Sequence, residues 1–159
     1  LAALGLRPVE PLPFIQAQAL PLTLAALERL GLPPCRSTVA LRGARADRLM
    51  ARTAAQLCPL VRSLVVDAPR GGAELSAWLR REFGVPVLPA GECGQAAIHF
   101  QEGCPRREEA VLELWNPVPR LAGLTLSAPG LDGEDRTDLP LLTALWEAGK
   151  LHQKDIKIT

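Results

Sequence analysis

Residues 37–87 constrain the fold more than any other stretch, because short apolar runs there alternate with amphipathic helical segments. The order strand, helix, strand, helix, strand is the pattern of parallel βαβ units. Residues 37–41 (STVAL) read as the first strand, apolar without clean alternation, as in a strand covered on both faces. Arg42, Gly43 and Ala44 make the turn that follows. A helix over 46–60 sets Ala46, Leu49, Met50, Thr53 and Leu57 on one side, with Arg45, Arg48, Arg52 and Gln56 elsewhere. That stripe is what a helix laid on a sheet requires. Residues 64–67 (LVVD) form a second strand ending in a carboxylate. After Pro69 and a Gly71–Gly72 loop, a helix over 73–83 turns Leu75, Trp78, Leu79 and Phe83 inward, and Gly84 caps it. Residues 85–88 are the third strand. Right-handed crossovers then set the strand order as 3-2-1.

The flanking segments complete the sheet. Residues 1–19 carry Pro8, Pro11 and Pro13, which predicts an extended arm or edge strand rather than a helix. A helix over 20–30 has Pro21 in its first turn and Gly31 as its stop. Residues 96–100 (AAIHF) are a fourth strand. The linker over 89–95 reaches about 24 Å when extended, against a trip back beside strand one on the order of 20 Å. It is therefore expected to cross as a loop. Residues 111–115 and 123–128 are further strands, joined by too little chain for a covering helix, which predicts an antiparallel pairing or an uncovered crossover. A last helix spans 139–148, and 155–158 read as a short final strand. The N-terminal arm and helix (1–35) thus pack on one α/β domain (36–159), whose three-layer sheet has a 3-2-1 parallel core extended by later strands.

Composition narrows the function classes. The net charge of +1 provides no global field for nucleic acid or an acidic membrane surface. No run of about 18 apolar residues exists to span a bilayer, and no charged start precedes a long apolar stretch, so no signal peptide is expected. The cysteines at 35, 58, 93 and 104 lack the close pairs of zinc sites, which predicts no metal and reduced thiols in a cytoplasmic protein. Heavy use of Ala, Arg, Leu and Pro suggests a bacterial coding sequence.

The glycine turn after strand one, the helix that begins there, and Asp67 ending strand two resemble the Rossmann-type NAD(P)-binding superfamily over about residues 36–128. The resemblance implies a Rossmann-like fold. It also implies NAD or NADP, or another nucleotide, held by Gly43, Ala44 and Arg45 at its phosphates and by Asp67 at its ribose, with Arg70 nearby as a second phosphate contact. The physics is that a helix start offers free N–H groups and partial positive charge, while a strand-end carboxylate holds a ribose diol. The turn departs from the family's G-x-G-x-x-G at its middle glycine, and Asp47 adds negative charge in the first helical turn. Arg42 and Arg45 offset that charge or replace the backbone cradle with side-chain contacts. A fainter similarity joins Asn116 and Pro117 to the Asn-x-Thr-Pro stretch of shikimate dehydrogenase-like cofactor domains.

Two other readings stand beside that of a nucleotide-binding domain in an oxidoreductase-like protein. A cofactor-free Rossmann-like module would act in interaction or dimerisation, as a homo-oligomer or with a partner domain. An S-adenosylmethionine-dependent transferase also uses a glycine turn and a strand-end acid. No catalytic set is apparent. His99 reads as a structural or sheet-surface histidine sharing a face with Ala97 and Gln101, Glu113 as part of a half-exposed edge strand, and Glu134, Asp135 and Asp138 as a solvated loop.

Overall fold

The computed structural model describes residues 10–116 and 118–159. Five strands form a parallel sheet in the order β3-β2-β1-β4-β5. They are β1 (Thr38–Arg42), β2 (Ser63–Asp67), β3 (Val87–Leu88), β4 (Ala96–His99) and β5 (Ala110–Glu113). The expected 3-2-1 core is present, and β4 extends it beside β1, with Val39 opposite Ala96 and Arg42 opposite His99. The next strand, β5, pairs in parallel with β4.

Among the described residues, five α-helices bury apolar side chains in the core on one face of this sheet: α1 (Leu12–Ala17), α2 (Ala19–Arg29), α3 (Arg48–Leu57), α4 (Gly72–Phe83) and α5 (Leu139–Glu147). Met50, Ala54 and Leu57 of α3 join Leu22, Ala26 and Leu27 of α2 against Val39, Leu41, Leu64, Val66, Ile98 and Leu112 of the strands. The strand residues alternate as the pleat demands, so every second one faces this core. Gly31 and Gly84 end α2 and α4 in left-handed turns, at φ of 73° and 66°.

The other face follows from chain handedness. Because β4 lies on the opposite side of β1 from β2, a right-handed crossover carries the β3–β4 connection over the face that α3 and α4 leave bare. That connection, 89–95, has no helix, and neither does the β4–β5 connection, 100–109. Loops form the third layer. They lie over a row of small or short side chains, Leu88, Val65, Ala40, Ala97 and Val111, contributed by all five strands in register. Gly94 shows how close the approach is: a Cβ there would sit 2.5 Å from the Thr38 carbonyl oxygen and 3.1 Å from the Ala40 nitrogen. The Gln95 N–H donates to that same carbonyl at 2.8 Å.

Three expectations need correction. Within the region expected to be extended, Leu12–Ala17 is helical. Pro11 stands at its N-cap and Pro13 in its first turn, where a missing N–H costs nothing. Burial of Phe14 and Ile15 holds the helix down, with Phe14 against Trp146 of α5 at 5.6 Å between ring centroids. The rest of that arm, 1–9, lies outside the described residues. The strand expected over 123–128 shortens to β6 (Leu126–Ser127) and leaves the main sheet. It pairs antiparallel with β7 (Lys157–Ile158) rather than with β5, whose antiparallel contact with the following chain is a single bridge between Leu112 and Leu121. Phe83 is not inward: it is 44% exposed, resting edge-on against Trp78.

Candidate functional site

In a parallel sheet, ligands bind outside the carboxyl ends of the strands, where the strand order reverses direction. Here that point lies between β1 and β4. Gly43, Ala44 and Arg45 follow β1 there, Asp67 ends β2, and Arg70 follows in the β2–α4 loop. The structure brings these residues to one edge. It also engages the groups a phosphate would need.

The turn's N–H groups are used internally. Gly43 donates to the Asp67 carbonyl at 2.9 Å and Ala46 to the Arg70 carbonyl at 2.7 Å, while Arg70 donates back to the Ala44 carbonyl at 3.3 Å. The two loops are thus zipped together by their backbones. Arg45 N–H donates to Oε1 of Gln101, and Nε2 of Gln101 donates to Asp47. That amide lies against Gly43, on the spot a side chain at this position would occupy. At the start of α3, the Asp47 carboxylate accepts the Met50 N–H at 2.9 Å, capping the helix with negative charge. The side chains of Arg45 and Arg70 are exposed. Asn116, from the fainter similarity, lies on the β5 side of this edge, with its Oδ1 accepting the Val118 N–H, and Pro117 lies outside the described residues.

Arg42 does something the sequence did not suggest. Alternation along β1 points it onto the loop face, where its side chain is fully buried. Its Nε and Nη2 donate to the two oxygens of Glu108 at 3.1 and 2.6 Å. Its Nη1 donates to Asp67 Oδ2 at 2.9 Å and to the Ala90 carbonyl at 3.0 Å, and Nη2 also reaches the Glu92 carbonyl at 2.8 Å. Every N–H of the guanidinium has an acceptor. Glu108, also fully buried, accepts the Gly94 N–H at 3.0 Å as well. One arginine therefore clasps both loops and the end of β2. The Glu108 hydrogen bond holds the guanidinium pKa above its ordinary value, against burial and with help from Asp67. Burial pushes the Glu108 carboxyl up, yet bonds from Arg42 and the Gly94 N–H, with the Arg42 charge, bring it below the usual carboxylate value.

Beside Arg42 in register stands His99, and beside that Glu113 on β5. His99 is 3% exposed, and its Nε2 is buried without a hydrogen-bond partner. Burial lowers its pKa below 6.5, as do Arg42 and Arg106, while Glu108 and Glu113 act the other way. Cys104 lies on the 100–109 connection with its thiol toward the Gln101 carbonyl at 3.5 Å. Burial and the Asp67 charge push that thiol's pKa up, which keeps it protonated.

Asp67 stays partly open. Its side chain is 32% exposed and lines a cleft of about 420 Å³ between β2, β3 and α4, with Ser76, Arg80, Leu88 and Pro89. Arg80 reaches across to the Val87 carbonyl at 2.8 Å. Among the described residues, no group of three or more His, Cys, Asp or Glu is placed to share a metal ion, and no helix is long and apolar enough to cross a membrane.

Glu108 and Gln101 are the residues that reading the chain missed. Both sit in connections with no periodic pattern, and Arg42 lies 66 positions from Glu108. The available signal was Arg42 itself, since a basic residue closing a fully buried strand requires a carboxylate partner. Comparison with protein-family models, curated proteins and solved structures returns no match for this chain. Fold and site together define a Rossmann-like α/β domain whose switch-point crevice is tied shut from within.

Proposed function

We infer that this chain is a cofactor-free Rossmann-like module that acts through protein contact, in interaction or dimerisation, rather than through a dinucleotide. The observation that carries this reading is the Gln101 amide against Gly43, bonded to the Arg45 N–H and to Asp47 where a pyrophosphate would have to sit. A phosphate would need to displace that amide, break the bond from the Ala46 N–H to Arg70, and lie next to the Asp47 carboxylate. Phe83, at the end of α4, and Leu60, in the turn after α3, provide exposed apolar surface for contact. Sedimentation over a wide concentration range tests the dimerisation version: self-association supports it, and a concentration-independent monomer removes it. A thermal-shift panel of NAD, NADP, S-adenosylmethionine and ATP tests the absence of a cofactor, with no shift expected at millimolar ligand.

The second reading places a nucleoside moiety of NAD, NADP or S-adenosylmethionine in the Asp67 cleft. The partly exposed carboxylate and the roughly 420 Å³ of space favour it. A shift in the same panel that Asp67→Asn abolishes would support this reading over the first.

A further inference from the structure

The buried clasp and the unpartnered histidine beside it are one unit. His99 and Arg42 are register neighbours on adjacent strands, both shut under the loop layer. Glu113 flanks His99 on β5, and Glu108 and Arg106 of the 100–109 connection are the other charged groups acting on its ring. The helices pack on the opposite face of the sheet and add no charge here. A neutral imidazole can leave Nε2 bare at the cost of one unmade hydrogen bond. An imidazolium cannot, because both ring nitrogens then donate and the ring carries charge beside a fully buried guanidinium. Of the two carboxylates within its field, Glu113 is partly exposed and 3.9 Å from Arg120, whereas Glu108 is fully buried with both oxygens already committed to Arg42 and the Gly94 N–H.

We propose that His99 is an acid-sensitive latch: taking up a proton from solvent, it competes with Arg42 for Glu108 and releases the 89–95 and 100–109 connections from the face of the sheet. Two cations on neighbouring strands repel, and one buried carboxylate cannot satisfy both. Once Glu108 shifts, the Gly94 N–H loses its acceptor, and the Ala90 and Glu92 carbonyls lose a fixed guanidinium. The loop pair lifts and uncovers the Ala40, Val65 and Ala97 row together with the inner wall of the Asp67 cleft.

Amide hydrogen exchange on the intact chain, corrected for intrinsic rates, tests this at about pH 5 and about pH 7.5, on either side of the ordinary histidine range. The Gly94 and Gln95 amides are expected to lose about tenfold in protection at the lower pH, the factor of one pKa unit, while β1 and β2 amides hold. His99→Gln should show equal protection at both values, and Glu108→Gln should be open at both. Unchanged wild-type protection, or the same tenfold loss in His99→Gln, overturns the proposal. Should His99→Gln fail to fold, NMR of the wild type decides. The ring protons of His99 and the Gly94 amide must then titrate with one midpoint, and two separate midpoints refute the latch.

Discussion

Truncating Glu108 to alanine tests how the loop layer is held. The substitution removes both acceptors of the Arg42 Nε and Nη2 donors and the acceptor of the Gly94 N–H, all in a site where neither partner is exposed. The guanidinium keeps Asp67, but that carboxylate is partly solvated and meets only Nη1. Breaking one side of a buried pair costs about 3–5 kcal/mol, a large part of the roughly 5–15 kcal/mol that stabilises such a domain. With a urea m-value of about 2 kcal/mol/M, the denaturation midpoint should fall by about 2 M. The double variant Arg42→Met, Glu108→Leu removes both charges and fills their space, so it should be more stable than Glu108→Ala alone. A loss below about 1 kcal/mol for Glu108→Ala, the scale of an exposed pair, would refute the clasp. So would a double variant no more stable than the single one.

Other predictions follow from the same geometry. Gly94→Ala drives a Cβ toward the Thr38 carbonyl and should cost about 1–3 kcal/mol, the range of core overpacking, measured by thermal or urea unfolding; a neutral result means the 89–95 connection does not lie flat on the sheet. Stability should also depend on pH in two windows. His99 has a lowered pKa in the folded state, so the unfolded chain binds the proton first and stability falls as pH drops below 6.5, by at most about 1.4 kcal/mol per unit. Glu108 is likewise held below its ordinary 4.5, so its contribution is complete above that value and is lost as pH falls through the lower folded-state value. Urea titrations of wild type and His99→Gln across pH 4–8 separate the two, since only the upper window should vanish in the variant.

How much of this was legible in the chain divides along sequence separation. The core over 37–87 was readable because periodicity and glycine stops act within a few residues. Handedness set the 3-2-1 order, and the length of 89–95 allowed a return beside β1 as a loop rather than a helix. The helix over Leu12–Ala17 was hidden because Pro11 and Pro13 read as breakers, though both sit where a helix tolerates them. Phe83 was misassigned because the stripe of α4 runs out one turn before its end. At the site, the family resemblance pointed to the right edge of the sheet, and Asp67 does end β2 there. The filling of that edge was not legible. Gln101 meets Arg45 across 56 positions and Glu108 meets Arg42 across 66. Neither carries a local signature, because connections without secondary structure have no period to read.

The turn after β1 is occupied by the protein's own Gln101 amide. NMR titration of the labelled chain with NAD reads this directly at the Gly43, Arg45 and Ala46 amides, which donate to Asp67, Gln101 and Arg70. These three resonances should stay in place up to millimolar NAD. Saturable shifts at all three, accompanied by release of the Gln101 side-chain amide, would contradict it.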